Sequence, residues 1–135
     1  LFSTLALVAL RPSSVLWWTL RWELLADIFL QIFKQIDEME NNAYYMREFY
    51  NQILKPKNPK EIYELLDNSI LLCYEDSNQF CHRHIVAAWL ELTLGIEVCE
   101  VTINQDTIEI KDKPKYIKEY LENMMIEEKS KVLQK

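Results

Sequence analysis

Cys73, Glu75, Cys81, His82 and Arg83 lie close together in the stretch LLCYEDSNQFCHRH, which also holds the chain's only two histidines and two of its three cysteines. An ionised thiol can act as a nucleophile or a redox group, and a carboxylate or imidazole beside it can accept or return a proton. A guanidinium grips a phosphate or carboxylate with a planar fork that lysine lacks. The candidate catalytic residues are therefore Cys81, Cys73, Glu75 and His82, and the candidate ligand-binding residues are Arg83 and Arg11. Cys81 is expected to be the most reactive thiol, because a helix N-terminus lowers a thiol pKa below its ordinary ~8.5.

Each of these residues also has a plainer reading. A cysteine closing a buried strand is commonly inert, Glu75 would be a solvated carboxylate, and Arg83 would pair with Glu75 across the loop. Their joint occurrence is what favours a site. A zinc centre drawing on Cys73, Cys81, His82 or His84, with Cys99 as a fourth ligand, fits poorly. Structural zinc takes ligand pairs two to four residues apart on both sides. No metal is expected, no Ser–His–Asp signature is present, and the residues name no cofactor.

The elements that must position these side chains can be read from periodicity. Residues 4–10 (TLALVAL) and 69–75 (SILLCYE) are short apolar runs with the pattern of buried strands, and 96–103 (IEVCEVTI) reads as a third strand. TIEI, after the turn at Asn104-Gln105-Asp106, is a further edge strand. Helical spacing appears from Trp22 to Ile36, from about Asn42 to Leu54, from Pro59 over PKEIYELLDN, from His82 to Leu94 with Gly95 as its stop, and from Lys113 to about Lys129. Strands separated by helices imply parallel pairing through crossovers. The expected fold is α/β, a small, mostly parallel sheet covered by helices, as a single domain over residues 1–135. Its site lies at the carboxyl ends of strands, where Cys73 leads towards the helix starting at His82.

Composition narrows the function classes. Half of the 135 residues are hydrophobic and 27% are charged, which suits a folded domain. One glycine, against about nine at the average usage of ~7%, excludes a glycine-rich phosphate loop or dinucleotide fingerprint. A net charge of −6 argues against general nucleic-acid binding, while a local basic pocket stays open. Three cysteines do not make a disulfide framework, so reduced thiols and a cytoplasmic location are expected. The opening LFSTLALVAL is too short to span a bilayer and reads as a strand inside a natural protein, with no membrane partner.

The string LLCYE, four residues, FCHRH, one residue, VAAWL resembles the family of bacterial and archaeal proteins catalogued as domain of unknown function 488. Cys73, Glu75, Cys81, His82, Arg83, Val86, Ala87, Trp89 and Leu90 carry the resemblance, which is strongest over residues 42–101 and includes LKPKNPKEIYELL. Arg11, Trp17-Trp18 and RWELLA are similar to the family's first loop, one expected wall of the site, although the family's glycines are absent and Asp27 stands where a proline would. The resemblance implies an α/β fold, a shared site at Cys81-His82-Arg83, and an N-terminal strand that this chain lacks. It implies no reaction.

Two functions follow. One is a small protein binding or acting on an anionic, phosphate- or nucleotide-like molecule held by Arg83 and Arg11. The alternative is a non-catalytic protein-interaction module presenting Trp17, Trp18 and Trp22 to a partner. A concave arrangement of Cys81, His82, Arg83 and Glu75 separates the first from the second. Oligomeric state is not legible.

Overall fold

The runs ALVA and ILLC are strands in the computed structural model, which describes residues 6–9 and 38–135. They are β1 (Ala6–Ala9) and β2 (Ile70–Cys73); β3 (Cys99–Asn104) and β4 (Thr107–Lys111) complete a sheet in the order β2-β1-β3-β4. β1 runs parallel to β2, with Ala9 opposite Cys73, and parallel to β3, with Ala6 opposite Cys99. β3 and β4 are antiparallel. The α/β class holds, but the sheet is mixed rather than of the mostly parallel kind expected. The reason is the connection between Asn104 and Thr107, which is long enough for a hairpin and far too short for a crossover.

β2 is an edge strand, not a fully covered one. Ile70 faces outward while Leu71 and Cys73 point into the core, as a two-residue period requires. That alternation fixes which way the Cys73 thiol is directed.

Among the described residues, four helices surround this frame. α1 (Glu38–Phe49) runs on through a π-helical turn, Tyr50–Leu54, and stops short of Pro56. α2 (Pro59–Leu66) begins as a capped helix should: Asn58 Oδ1 accepts from Lys60 N–H at 3.0 Å and proline takes the first position. α3 (His82–Leu94) ends at Gly95, whose φ of 66° lies in the left-handed region and whose N–H closes on Glu91 O at 3.0 Å. α4 (Lys115–Leu133) closes the described chain.

α3 is the central element. Ile85, Val86, Ala87, Trp89 and Leu90 are all buried, and the helix packs against α2, α4, β1 and β2. Such burial on nearly every side is unusual for a helix carrying an arginine and two histidines in its first turn. Tyr45, Met46 and Phe49 of α1 and Ile117, Leu121 and Met124 of α4 complete the core. The expected helix over Trp22–Ile36, the loop with Arg11, and Trp17, Trp18 and Trp22 fall outside the described residues. Among the described residues no helix is long and apolar enough to cross a membrane.

Candidate functional site

The chain leaves β2 at Cys73, turns through residues 74–80, and enters α3 at Cys81, its N-cap residue. The turn is closed on itself: Gln79 N–H donates to Asp76 O at 3.1 Å, and Asp76 N–H donates to Gln79 Oε1 at 3.1 Å. This closure returns Cys81 to the end of the strand it followed. Strand end and helix start then face each other, which is where α/β folds place ligands.

Cys73 Sγ lies 2.8 Å from Glu75 Oε2 and 3.8 and 3.9 Å from the Nδ1 and Nε2 atoms of His82. Cys73, Cys81 and Glu75 bring their sulfur and oxygen atoms within 4.8 Å of one another. Both thiols are buried, whereas Glu75 and His82 are half-buried. Tyr45 and Phe49 wall the cluster from α1: Tyr45 stacks on Phe49, meets Phe80 edge-on, and Phe49 lies against the His82 ring at 6.5 Å. Burial, and after it the neighbouring Cys73, pushes the Tyr45 hydroxyl above its ordinary pKa.

The two thiols are driven apart in acidity. A hydrogen bond from Cys81 pulls the Cys73 thiol far below the ordinary range, against burial, and His82 and Glu75 pull it the same way. Burial, then the neighbouring Cys73, push Cys81 up. Glu75 is raised by burial and by Cys73. Both sulfurs, the Glu75 carboxyl and the His82 ring form one cluster in which Cys73 is the more acidic thiol. This corrects the expected order of reactivity. Cys81 does cap the helix position, but it makes no side-chain cap bond and its sulfur is buried, 3.7 Å from His84 Nδ1. The imidazole of His82 lies beside Cys73 instead.

Arg83 also differs from expectation. It was expected to offer its fork to a ligand, yet its side chain is 1% exposed. Nη2 meets Glu100 Oε1 at 2.7 Å and Nε meets Glu100 Oε2 at 3.4 Å. Nη1 donates to Glu75 O at 3.0 Å and Nη2 to Asp76 O at 3.2 Å. Glu75 thus contributes its main-chain carbonyl, not the carboxylate of the expected salt bridge. The anion expected beside a positively charged helix start is Glu100, supplied by β3. His84 joins it, with Nε2 at 3.1 Å from Glu100 Oε2 and Nδ1 donating to Gln79 O at 3.0 Å. Burial would raise the Glu100 carboxyl, but His84 and Arg83 outweigh it and hold the group below the ordinary carboxylate range.

The structure therefore brings together Cys73, Glu75, Cys81 and His82, sets Arg83 behind them, and leaves Arg11 outside the described residues. Glu100 was missed by sequence reasoning. Its signal was present: a glutamate in the apolar run IEVCEVTI, two residues from the fully buried Val98 and therefore in phase with it. Cys73, Glu75 and Cys81 are also described residues that could hold a metal ion, since two sulfurs and a carboxylate suit a zinc-like ion.

Comparison with known proteins agrees on the family. Residues 10–94, more than half of the chain, match the family model described as the Active DUF488-N3 subclade. The match begins just after β1, spans α1, α2, β2 and all of α3, and stops before Glu100. No curated protein and no solved structure matches the chain. With the strand end, the turn and the start of α3 all inside the matched segment, the chain belongs to the DUF488 family.

Proposed function

We propose that this protein is an enzyme that uses Cys73 as a thiolate nucleophile towards a small electrophilic molecule. The observation that carries the reading is the Cys73 sulfur flanked by the Glu75 carboxylate at 2.8 Å and the His82 ring at 3.8 Å, at the start of α3. A thiolate at a helix N-terminus beside an imidazole is the environment that makes cysteine reactive, and a nearby carboxyl can shuttle the proton. The word "Active" in the family description supports catalysis over a purely structural role.

In this reading His82 stabilises the thiolate and delivers a proton to the leaving group, and Glu75 exchanges protons with solvent from its half-exposed position. Arg83, His84 and Glu100 are positioning residues, holding the turn and the helix start in register. The ligand changes accordingly. An anion gripped by Arg83 gives way to an electrophile small enough to reach a buried sulfur, and Arg11 would meet any charged group it carries. A reducing cytoplasm suits a mechanism built on thiols.

Iodoacetamide labelling of chelator-treated protein, with each cysteine quantified by mass spectrometry, tests the proposal. Cys73 is expected to label first at about pH 6, and His82→Ala to slow it. Faster labelling of Cys81 or Cys99 would remove Cys73 from the central role.

A further inference from the structure

The sulfur of Cys73 has a second sulfur for a neighbour. Cys73 and Cys81 sit at the two ends of one closed turn, and their sulfurs and the Glu75 oxygen all lie within 4.8 Å. A disulfide needs the sulfurs at about 2.05 Å, an approach that side-chain rotation can supply when the backbone already brings them this near. Both thiols are almost wholly hidden, Cys73 at 0% and Cys81 at 3% exposure. Such burial favours a small oxidant over a bulky thiol partner, and the half-buried Glu75 and His82 are the partly accessible groups beside the sulfurs. Cys99, the remaining cysteine, lies in β3 and is not part of this cluster.

We propose that Cys73 and Cys81 form a two-thiol redox couple that reduces a small hydroperoxide. The proposal rests on Cys73 being the attacking sulfur, flanked by Glu75 at 2.8 Å and His82 at 3.8 Å, and adds a task for Cys81. In the first step the Cys73 thiolate attacks the terminal peroxide oxygen. The S–O bond forms, the O–O bond breaks, and the departing alkoxide or hydroxide takes a proton from Glu75 or His82. Cys73 is then a sulfenic acid, oxidised by two electrons, and the peroxide has been reduced to an alcohol or water. In the second step the Cys81 sulfur attacks Cys73 Sγ and the S–S bond forms. The hydroxyl leaves with the Cys81 proton as water. Two equivalents of a low-mass thiol restore both cysteines by exchange and leave as their own disulfide. The burial of Cys81 serves this cycle, since a resolving thiol held beside the sulfenic acid intercepts it before a second peroxide can.

Reduced, chelator-treated protein exposed to hydrogen peroxide tests the couple by peptide mapping. The expected product is a Cys73–Cys81 cross-link, lighter by two hydrogens, with Cys99 still a thiol. In Cys81→Ser, a near-isosteric change whose folding circular dichroism checks, Cys73 should stop at the sulfenic acid and be trapped by dimedone. Peroxide turnover with a small thiol should be lost. If the parent instead accumulates Cys73 sulfenic or sulfinic acid without the cross-link, the couple is overturned while the thiolate reading stands. If Cys73 labels rapidly with iodoacetamide but ignores peroxide, the couple again fails alone. If Cys73 reacts with neither reagent, both readings fail.

Discussion

At the start of α3, Arg83 and Glu100 form an ion pair with side chains 1% and 0% exposed; near its end, Glu91 pairs with Lys118, which is 48% exposed. The first bond joins the helix start to β3 and, through two carbonyls, to the turn after β2. The second joins the last turns of the helix to α4, while Lys113 and the Val98 N–H also reach Glu91. The chemistry is alike and the surroundings are not. Removing one partner from a buried pair strands the other charge and costs about 3–5 kcal/mol, whereas a half-exposed pair is screened and contributes about 0–1 kcal/mol. The fold has placed its least replaceable polar bonds directly behind the thiols. At the opposite end of the same helix Glu91 is buried too, but its partner Lys118 stands half in water.

The sharpest way to break this comparison is Arg83→Ala, which should lower stability by about 3–5 kcal/mol in chemical denaturation. Arg83→Lys keeps the charge but loses the fork, and should fall between the parent and Arg83→Ala. A cost for Arg83→Ala no larger than that of a surface pair would show that the two ends of α3 are equivalent.

Acid should act on the same contrast. Glu100 is held below the ordinary carboxylate value of 4.5 by His84 and Arg83, against its burial. A group whose folded pKa is lowered contributes stability that is present above its unfolded pKa and disappears as pH falls through the folded one. The parent should therefore lose stability as pH drops below about 4.5, and Glu100→Gln should flatten that slope. Glu91 is lowered too, by Lys113 and Lys118 against burial, so Glu91→Gln should flatten it less, since Lys118 is half-exposed. Equal effects in the two variants would erase the distinction between the two ends.

The smallest effect is expected at Lys118→Ala, about 0–1 kcal/mol, with weak coupling to Glu91→Gln in a double-mutant cycle.

The sequence showed where the site lies because two kinds of punctuation coincide there. An apolar run closes at Cys73, and a helix that Gly95 terminates opens at His82. Local pattern also carried the bounds of that helix, and placed a strand over 69–75 of which 70–73 is paired. Roles were harder to read, because they depend on what approaches from far along the chain. Glu100 is seventeen residues from Arg83, and only the pairing of β3 with β1 brings it there. Without it Arg83 reads as a ligand anchor, and with it Arg83 is a brace. The order of thiol acidity failed for a related reason. Helix-start logic applies to position, whereas acidity also depends on burial and on which sulfur donates to the other. The antiparallel edge was legible in the short Asn104-Gln105-Asp106 turn, and the mixed sheet follows from it.

The central claim is that Cys73 is a thiolate held by its neighbours, and ultraviolet thiolate absorbance followed against pH tests it most directly. The parent should keep one thiolate down to about pH 5, and Cys73→Ser should abolish that signal. Cys81→Ala, which removes the hydrogen bond to Cys73, should move the titration upward, and Cys81→Ser should restore part of the shift. A parent whose thiols all titrate near the ordinary value of 9.0 would contradict the account.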